Sequence, residues 1–367
     1  MKRLRFLLCF MFLALLFLSC GKKGPILPPF VNTPQKVDVF KAFQRGDKIV
    51  LQWSLPATYI DGNPLPEVSE VEIWNLSIPR ESLETETFVS EVEFEKQASL
   101  ITTISKVAFP EFQTQKDKIP IELNYYFPLA GEALTSKIFS FGIKIKDRKN
   151  KKSKFSEIHS VTPEVVPLPP QDLRATLFKD RVALVWNSPE VNIDKSSPSN
   201  TKGYNIYRKE GDGIAQRLSS ELNEENEYQD ESFLFGKTYG YFVRASATDS
   251  SPYLESENSE IVDIVTEDIF APVSPSGLLT IAGEMVIALS WNSNQEEDLA
   301  GYKVWRRLEG EEEFVLLTPE LTRENTYNDT EVDKNIKYYY AITALDMSGN
   351  ESQKSEIVSE IIKEGTS

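Results

Sequence analysis

Two seven-residue stretches, Val182-Ala183-Leu184-Val185-Trp186-Asn187-Ser188 and Ile287-Ala288-Leu289-Ser290-Trp291-Asn292-Ser293, decide the fold class of this 367-residue chain. Apolar residues recur at alternate positions in both, and each stretch ends in Trp-Asn-Ser. Such period-two alternation, rich in β-branched and aromatic residues, is typical of a strand with one buried face. A related stretch, Ile49-Val50-Leu51-Gln52-Trp53-Ser54, lies nearer the amino terminus. The chain therefore contains three related strands, each marked by a tryptophan.

Two further units follow the tryptophan strands in a fixed order. Residues 203–208, Gly-Tyr-Asn-Ile-Tyr-Arg, match residues 301–306, Gly-Tyr-Lys-Val-Trp-Arg, at an offset of 301 − 203 = 98. Residues 239–245, Tyr-Gly-Tyr-Phe-Val-Arg-Ala, match residues 338–344, Tyr-Tyr-Tyr-Ala-Ile-Thr-Ala, at an offset of 340 − 241 = 99 for the tyrosines. The weaker first copies are residues 71–74 and 139–145. Repeats of this length, with many short strands, predict tandem immunoglobulin-like β-sandwiches.

The order of these units resembles that of fibronectin type III domains. The resemblance implies that Trp186 and Trp291 are core tryptophans of the B strands. It also implies that the tyrosine-corner residue is one member of each of two pairs, Tyr239 or Tyr241 and Tyr338 or Tyr340. The absence of a cysteine pair favours this variety over antibody domains. We therefore expect an all-β protein with three tandem fibronectin type III sandwiches.

The first copy is longer than the other two. Trp53 and Trp186 are 186 − 53 = 133 residues apart, whereas Trp186 and Trp291 are 291 − 186 = 105 residues apart. The excess falls within residues 75–134, where 87–89 and 100–104 have strand-like composition. We expect this domain to be a sandwich with extra strands or a long excursion.

The amino terminus has the pattern of an export signal. Residues 1–5 are basic, residues 6–18 are apolar, and Ser19 precedes Cys20. This is the order of regions in a secretory signal peptide. A helix that crosses a bilayer needs about 20 apolar residues, which is more than this run provides. An uncleaved membrane anchor is the alternative.

The segment Leu16-Phe17-Leu18-Ser19-Cys20 resembles the lipobox of bacterial lipoproteins, although the family prefers leucine where Phe17 stands and a small residue where Leu18 stands. The resemblance implies cleavage before Cys20 and fatty acyl chains, palmitate among them, on Cys20. Cys9 would leave with the signal, so the mature chain would have neither a free thiol nor a disulfide. An aspartate at the position of Gly21 would favour retention in the inner membrane, so Gly21 points to the outer membrane. Which face of that membrane carries the chain is left open.

Residues 20–29 also resemble the start of a small outer-membrane lipoprotein family that is associated with maturation of the lipopolysaccharide translocon. The alternative is a generic Gly/Pro tether that holds the first domain away from the bilayer. We predict a signal peptide at residues 1–19 and a tether at residues 20–35. A fibronectin III-like domain with an extra segment follows at residues 36–165, and two fibronectin type III domains follow at residues 168–268 and 272–364. Proline-rich joints predict that the domains form a stiff rod.

The net charge of −16 restricts the partners. Loss of Lys2, Arg3 and Arg5 with the signal would bring it to −16 − 3 = −19. Such a surface repels nucleic acid and anionic headgroups, so no nucleic-acid partner is expected. Acidic blocks such as residues 309–313 are interpreted as solvated loops.

The sequence offers little support for an enzyme. Its one histidine, His159, lies in a strand-like run and is interpreted as an exposed strand residue. Too few histidines and cysteines remain for the usual zinc ligand sets. No glycine-rich phosphate loop follows a strand. We therefore expect no cofactor, no metal and no catalytic residue, unless the extra segment of the first domain contains a site.

Three loops contain residues with possible binding roles. Arg45-Gly46-Asp47 spells an integrin-type tripeptide, although a tight turn between strands A and B accounts for it. Residues 294–298 and 346–350 carry oxygen ligands that calcium could use, but neither has EF-hand spacing.

An aromatic row is the most informative candidate surface. Trp74, Tyr207 and Trp305 occupy equivalent places in the three repeats. Their neighbours Ile73, Ile206 and Val304 point to the core, so the aromatic side chains should point outward. An outward row could hold a carbohydrate or a partner protein. The alternative is cross-strand packing on the outer face, for instance of Tyr207 on Phe242.

Three functions remain open. The first is a non-catalytic lipoprotein, joined to membrane lipid through acylated Cys20, that acts as a protein-interaction or spacer module of the bacterial cell envelope. The second is an accessory factor of envelope assembly, suggested by the tether. The third is an adhesin that binds carbohydrate or a host ligand through the aromatic row.

Overall fold

The computed structural model describes residues 32–82, 89–115, 119–129 and 133–364. Its strands form six antiparallel sheets, three with three strands and three with four strands. The predicted all-β fold with tandem immunoglobulin-like sandwiches is therefore confirmed. The predicted signal peptide and Cys20 lie outside the described residues. Within those residues, no helix has both the length and the apolar character that a membrane crossing requires.

The first sandwich has one sheet of three strands in the order β1-β2-β5 and one of four in the order β4-β3-β6-β7. In fibronectin letters these strands are A, B, C, C′, E, F and G along the chain. Their bounds are β1 Phe40–Arg45, β2 Lys48–Ser54, β3 Val68–Pro79, β4 Ser99–Ser105, β5 Glu122–Pro128, β6 Lys137–Asp147 and β7 His159–Val161.

The second and third sandwiches repeat this topology, as β8-β9-β12 with β11-β10-β13-β14 and as β15-β16-β19 with β18-β17-β20-β21. The second sandwich consists of β8 Gln171–Leu177, β9 Val182–Asn187, β10 Gly203–Glu210, β11 Gln216–Arg217, β12 Glu227–Asp230, β13 Thr238–Ser246 and β14 Val262–Val265. The third consists of β15 Leu279–Ala282, β16 Ile287–Ser290, β17 Leu299–Leu308, β18 Val315–Leu316, β19 Thr326–Asp329, β20 Lys337–Asp346 and β21 Val358–Ile361.

The long middle segment of the first domain consists of connections rather than extra strands in the described residues. The predicted strand at residues 100–104 is β4, which lies at the edge of the four-stranded sheet. The predicted strand at 87–89 falls mostly outside the described residues. Helix α1, Glu91–Gln97, precedes β4, and the short helices α2, Phe109–Phe112, and α3, Ala133–Ser136, flank β5.

Each core is centred on the tryptophan of its B strand. Trp53 is fully buried, Trp186 is 4% exposed and Trp291 is 3% exposed, as the sequence predicted. The rings of Trp186 and Trp291 meet Tyr204 and Tyr302 of the opposite sheet edge-on, at 5.2 and 5.3 Å. Edge-to-face aromatic pairs of this kind contribute about 0.5–1.5 kcal/mol beyond the burial of their area.

The tyrosine corners are Tyr239 and Tyr338. The hydroxyl of Tyr239 accepts the backbone N–H of Leu234, and that of Tyr338 accepts the N–H of Asp333. The other member of each predicted pair, Tyr241 or Tyr340, has a different role in the core.

Tyr241 and Tyr340 belong to a hydrogen-bonded triad that joins the two sheets. Asp230 Oδ2 accepts from Arg208 Nη1 and from the Tyr241 hydroxyl, both at 2.7 Å. The third sandwich repeats the triad with Arg306, Asp329 and Tyr340, both distances being 2.8 Å. Burial and the adjacent Asp230 carboxylate raise the pKa of Tyr241, so its proton stays in place. A buried ion pair is tolerated when hydrogen bonds satisfy both partners in this way.

The described chain packs as two compact units. The first extends to Pro169 and includes residues 189–202 and 245–257, and the second comprises residues 170–188, 203–244 and those from Asn258 onward. Within the first unit, the A–B turn meets residues 255–257: Gly46 N donates to Glu255 O at 2.8 Å, and Lys48 Nζ lies 3.3 Å from Glu257 Oε1.

We expect Trp186→Ala to destabilise the second sandwich by about 3–5 kcal/mol, because it removes a buried ring and leaves a cavity. Val185→Ala is the matched control, since Val185 is 45% exposed and should change stability by less than about 0.5 kcal/mol. Urea unfolding, followed by hydrogen exchange of amides in β9 and β13, measures both. Similar losses for the two variants would contradict the assignment of the core.

A second prediction concerns acid stability. Burial acts to raise the pKa of Asp230, but hydrogen bonds from Tyr241, Ser232 and Arg208 outweigh it and hold the pKa below its usual range. This lowered pKa contributes stability above the unfolded value of about 3.9, and the contribution is lost as pH falls through the folded value. Below about pH 4, the wild type should therefore lose stability more steeply than Asp230→Asn. Parallel pH profiles of the urea midpoint would refute the role of this carboxylate.

Candidate interaction surfaces on the outer sheet faces

The aromatic row predicted from the sequence lies on the outer face of each four-stranded sheet, the face opposite the core. Ile73, Ile206 and Val304 are fully buried in the cores. The adjacent Trp74, Tyr207 and Trp305 are partly buried on the other side. The structure therefore places the three aromatic residues at one repeated position, and what covers each of them differs between domains.

A repeated Ser-x-x-Ser segment presents a second residue beside each aromatic ring. The segments are Ser153–Ser156, Ser256–Ser259 and Ser352–Ser355, and all six serines are buried. Each serine N–H donates to a carbonyl of the F strand, and its Oγ accepts the N–H of that same F-strand residue. Because both serines are fixed to the F strand, the residue just before the second serine lies on the outer face. These residues are Phe155, Asn258 and Lys354.

This motif was missed in the sequence, although its signal is visible there. Each segment begins six to ten residues after its F strand, since 153 − 147 = 6, 256 − 246 = 10 and 352 − 346 = 6. Ser-x-x-Ser is common in loops, so only its recurrence at the same place in three repeats distinguishes it.

We define the outer-face cluster of a domain as the C-strand aromatic residue, the F-strand residue beside it and the third residue of Ser-x-x-Ser. In the first domain these residues are Trp74, Lys144 and Phe155. The rings of Trp74 and Phe155 meet edge-on at 5.9 Å, and Lys144 Nζ lies 3.8 Å from the centre of the Phe155 ring.

Helix α1 covers the first cluster. Phe94 of α1 is fully buried and meets the Phe155 ring edge-on at 5.2 Å. It also lies over Gly142, the cross-strand partner of Trp74, where a Cβ would come within 2.9 Å of Phe94 Cε1. Gly142 therefore provides the space for the Phe94 ring. The helix is capped at its amino end by Ser90, whose Oγ accepts the N–H of Glu93.

The second cluster is filled by its own side chains. Tyr207 stacks on Phe242 with ring centres 5.0 Å apart and planes 7° apart, as the packing alternative predicted. Arg244 lies over Tyr207, with Cζ 4.2 Å from the ring centre, and its Nε donates to Asn258 Oδ1 at 2.7 Å. Phe242 and Arg244 are 3% and 7% exposed, so little of this cluster is open to a ligand.

The third cluster extends into a longer arrangement, the cationic strip, which consists of alternating aromatic and cationic residues, Trp305, Lys354, Phe314, Arg307, Tyr339 and Lys337. Lys354 Nζ lies 4.6 Å from the Trp305 ring and 5.8 Å from the Phe314 ring. Arg307 Cζ lies 5.4 Å from the Phe314 ring and 4.1 Å from the Tyr339 ring, and Lys337 Nζ lies 5.1 Å from Tyr339. Each such contact stabilises by about 0.5–1 kcal/mol at exposed sites.

A polar network borders the cationic strip at Trp305. Trp305 Nε1 donates to Thr343 Oγ1 at 2.9 Å, and the Thr343 hydroxyl donates to Glu351 Oε1 at 2.6 Å. Lys303 Nζ donates to Glu351 Oε2 at 2.6 Å. Burial acts to raise the pKa of Glu351, but the bonds from Lys303 and Thr343 lower it overall. Glu351 is therefore charged and engaged by Lys303.

The remaining predicted sites have structural explanations. Arg45-Gly46-Asp47 is the turn between β1 and β2, with Gly46 at φ +53°, as turn chemistry predicted. His159 is not an exposed strand residue as predicted: it is partly buried in β7 and meets the Phe40 ring edge-on at 5.1 Å. The strand-like run around His159 does not reveal this contact, because Phe40 belongs to a different strand.

The two oxygen-rich loops of the third domain meet. Asp298 and Asp346 lie with Asp268 so that one carboxylate oxygen from each falls within 4.8 Å of the others. Asn350 donates to both oxygens of Asp346, through its backbone N–H and its side chain, and the Ser348 hydroxyl donates to Asp268. These hydrogen bonds explain two of the three carboxylates, those of Asp268 and Asp346, as acceptors that stabilise the turn at residues 346–350.

Comparison with known proteins gives short matches. No protein-family profile matches the chain. An amylopullulanase of Thermoanaerobacterium saccharolyticum is 34% identical over 89 residues, 24% of this chain and 7% of that protein. An amylopullulanase of Thermoanaerobacterium thermosulfurigenes is 34% identical over 86 residues, 23% of this chain and 4% of that protein. The chain thus spans less than a tenth of the length of these curated relatives.

Among solved structures, the chicken CNTN1 FN1–FN3 domains align with 90% of this chain and 99% of their own, at 15% identity and a TM-score of 0.26.

We expect Ser355→Ala to destabilise the third sandwich by about 1–3 kcal/mol, because the buried N–H of Ile342 loses its acceptor. Ser359→Ala is the matched control, since Ser359 is exposed in β21 a few residues away. Thermal unfolding measures the difference. If the two variants are equally stable, the serine contacts do not fix this segment to the F strand.

Proposed function

We propose that this chain is a non-catalytic interaction module of the bacterial cell envelope, held to the membrane by fatty acyl chains on Cys20. The observation that carries the proposal is the outer-face cluster, which recurs at the same place in three sandwiches while its composition differs. The three repeats share the core residues that packing requires, but they differ in the residues of this one outer surface. Such a difference is expected of interaction modules that have one fold and different partners. Tandem sandwiches also suit a spacer that holds such surfaces away from a bilayer.

Protein is the partner class that the surface chemistry favours. Interfaces between proteins are enriched in aromatic residues and arginine, and the cationic strip presents Trp305, Phe314, Tyr339 and Arg307. The negative net charge opposes binding to nucleic acid and to anionic bilayers.

Photo-crosslinking in living cells tests the interaction role. A photoreactive amino acid at Val315, which is 61% exposed beside the cationic strip, should give protein adducts of defined size. The same amino acid at the exposed Lys334 of the same domain is the control. Absence of adducts from Val315 and from equivalent positions in the other domains would overturn the proposal, as would a hydrolase activity of the purified chain.

The anchor is tested separately. Cys20→Ser should abolish incorporation of labelled palmitate and release the chain from the membrane fraction, because one acylated residue is proposed to provide the attachment. Cleavage of an epitope tag placed after Ser367, in intact or only in permeabilised cells, then assigns the membrane face.

Carbohydrate binding is a second candidate, favoured by the local likeness to two amylopullulanases. Glycan-array binding that depends on Trp74, Tyr207 and Trp305 would support it. Binding that survives their replacement by alanine would remove the aromatic row as its cause.

A further inference from the structure

We infer that the cationic strip of the third domain is the docking surface for an acidic segment of a partner protein that carries an aromatic anchor. The inference rests on the proposed interaction role and adds the surface and the chemistry of the partner.

The charge of the cationic strip favours an acidic partner. Arg307, Lys337 and Lys354 have no carboxylate within ion-pair distance in the described chain, whereas Lys303 at the border is paired with Glu351. The chain carries sixteen more acidic than basic residues, yet these three cations are gathered on one sheet face. Complementary charge across an interface guides encounter and suppresses wrong partners. An acidic segment is the partner that this arrangement selects.

The cationic side chains of the strip are held in place by neighbouring rings. Each cation of the strip lies over at least one ring, and Lys354 and Arg307 each lie near two. Holding long side chains in this way reduces the rotamer freedom that binding would otherwise remove. Arg307 also donates from Nη1 to Glu311 O at 2.8 Å. The surface is therefore arranged before a ligand arrives.

The cationic strip is more accessible than the corresponding face of the first domain. In the first domain, the connection from C to C′ includes α1, which covers the outer face. In the third domain, the same connection spans only residues 309–314 and contributes Phe314. Lys354 is exposed, and Val315 at the rim is 61% exposed.

The chain itself contains an acidic segment with an aromatic anchor. Helix α1, Glu-Val-Glu-Phe-Glu-Lys-Gln, is acidic and seats one buried phenylalanine, Phe94, on the first cluster. Trp74 pairs with Gly142 there, whereas Trp305 pairs with Ala341 in the third domain, whose Cβ requires an anchor to lie further from the strand than Phe94 does. The first domain thus shows an acidic helix with one aromatic anchor seated on the corresponding face.

Other ligand classes fit less well. A neutral sugar stacks on open ring faces, whereas Lys354 lies over Trp305 and Arg307 lies over Tyr339. Long polyanions and anionic vesicles meet the repulsion of the whole acidic chain.

The test uses the full chain labelled with fluorotryptophan, so that its five tryptophans report individually by fluorine NMR. The probe is a helix-constrained peptide with the sequence of residues 89–98, and its control peptides carry alanine at Phe94 or glutamine at the three glutamates. We expect the probe to shift the Trp305 signal and leave the buried Trp186 and Trp291 unchanged. Both control peptides should bind at least about tenfold more weakly, because they lack the anchor or the charge.

Matched variants of the chain complete the test. Lys337→Gln with Lys354→Gln should weaken probe binding about tenfold, and added salt should do the same, whereas Lys334→Gln should have little effect. No shift at Trp305 at the highest probe concentration would overturn the inference. So would stronger binding of neutral oligosaccharides or phosphatidylglycerol vesicles than of the probe.

The proposed function is judged by a different result. If crosslinked partners form in cells but persist in the double lysine variant, the interaction role stands and the assigned surface is wrong. If the probe binds but no crosslinked partner forms from any domain, the surface recognises acidic segments in solution and the cellular role fails.

Discussion

Side-chain alternation along the long C and F strands is the constraint on which the rest of each sandwich depends. One set of side chains, with Ile73, Ile206 and Val304 at its centre, is fully buried against the B-strand tryptophans. The alternate set must then lie on the outer face, whatever its chemistry. Because the core fixes the register, a slip of one residue would exchange the two faces. The position of the outer-face clusters is thus a consequence of the core.

The same outer position is filled in three ways. The F-strand residue directly across from the C-strand aromatic residue is Gly142 in the first domain and Ala341 in the third, and in the second domain Phe242 stacks on Tyr207. Glycine admits the ring of Phe94 from an added helix, phenylalanine stacks on Tyr207 itself, and alanine lies beneath the cationic strip. A change at this position is compatible with an unchanged core, since it affects only the outer face. Tandem repeats can therefore diverge in surface chemistry without losing their fold.

Much of the fold follows from the sequence, because period-two alternation and aromatic spacing are local signals. The core tryptophans, the strand at residues 100–104 and the outward direction of the aromatic row could be predicted in this way. For each tyrosine corner the sequence indicates a pair of candidate tyrosines. The choice within a pair depends on which hydroxyl reaches the backbone N–H of Leu234 or Asp333. The contact of Phe94 with Phe155 joins residues 61 positions apart (155 − 94 = 61), and the cationic strip joins two strands and two connecting segments. Such contacts depend on tertiary packing, which local patterns do not encode.

The central claim is that the outer face of the third domain is occupied by a partner in the cell. The sequence has only two cysteines, Cys9 and Cys20, and on the proposed cleavage and acylation neither would leave a free thiol, so a single cysteine introduced in the third domain would report its own environment. The most direct measurement is maleimide labelling of Lys354→Cys and Lys334→Cys, both in permeabilised cells and in the purified chain. The account predicts that Lys354→Cys is protected in cells and reactive when purified, while Lys334→Cys reacts equally in both. Equal labelling of the two positions in cells would contradict it.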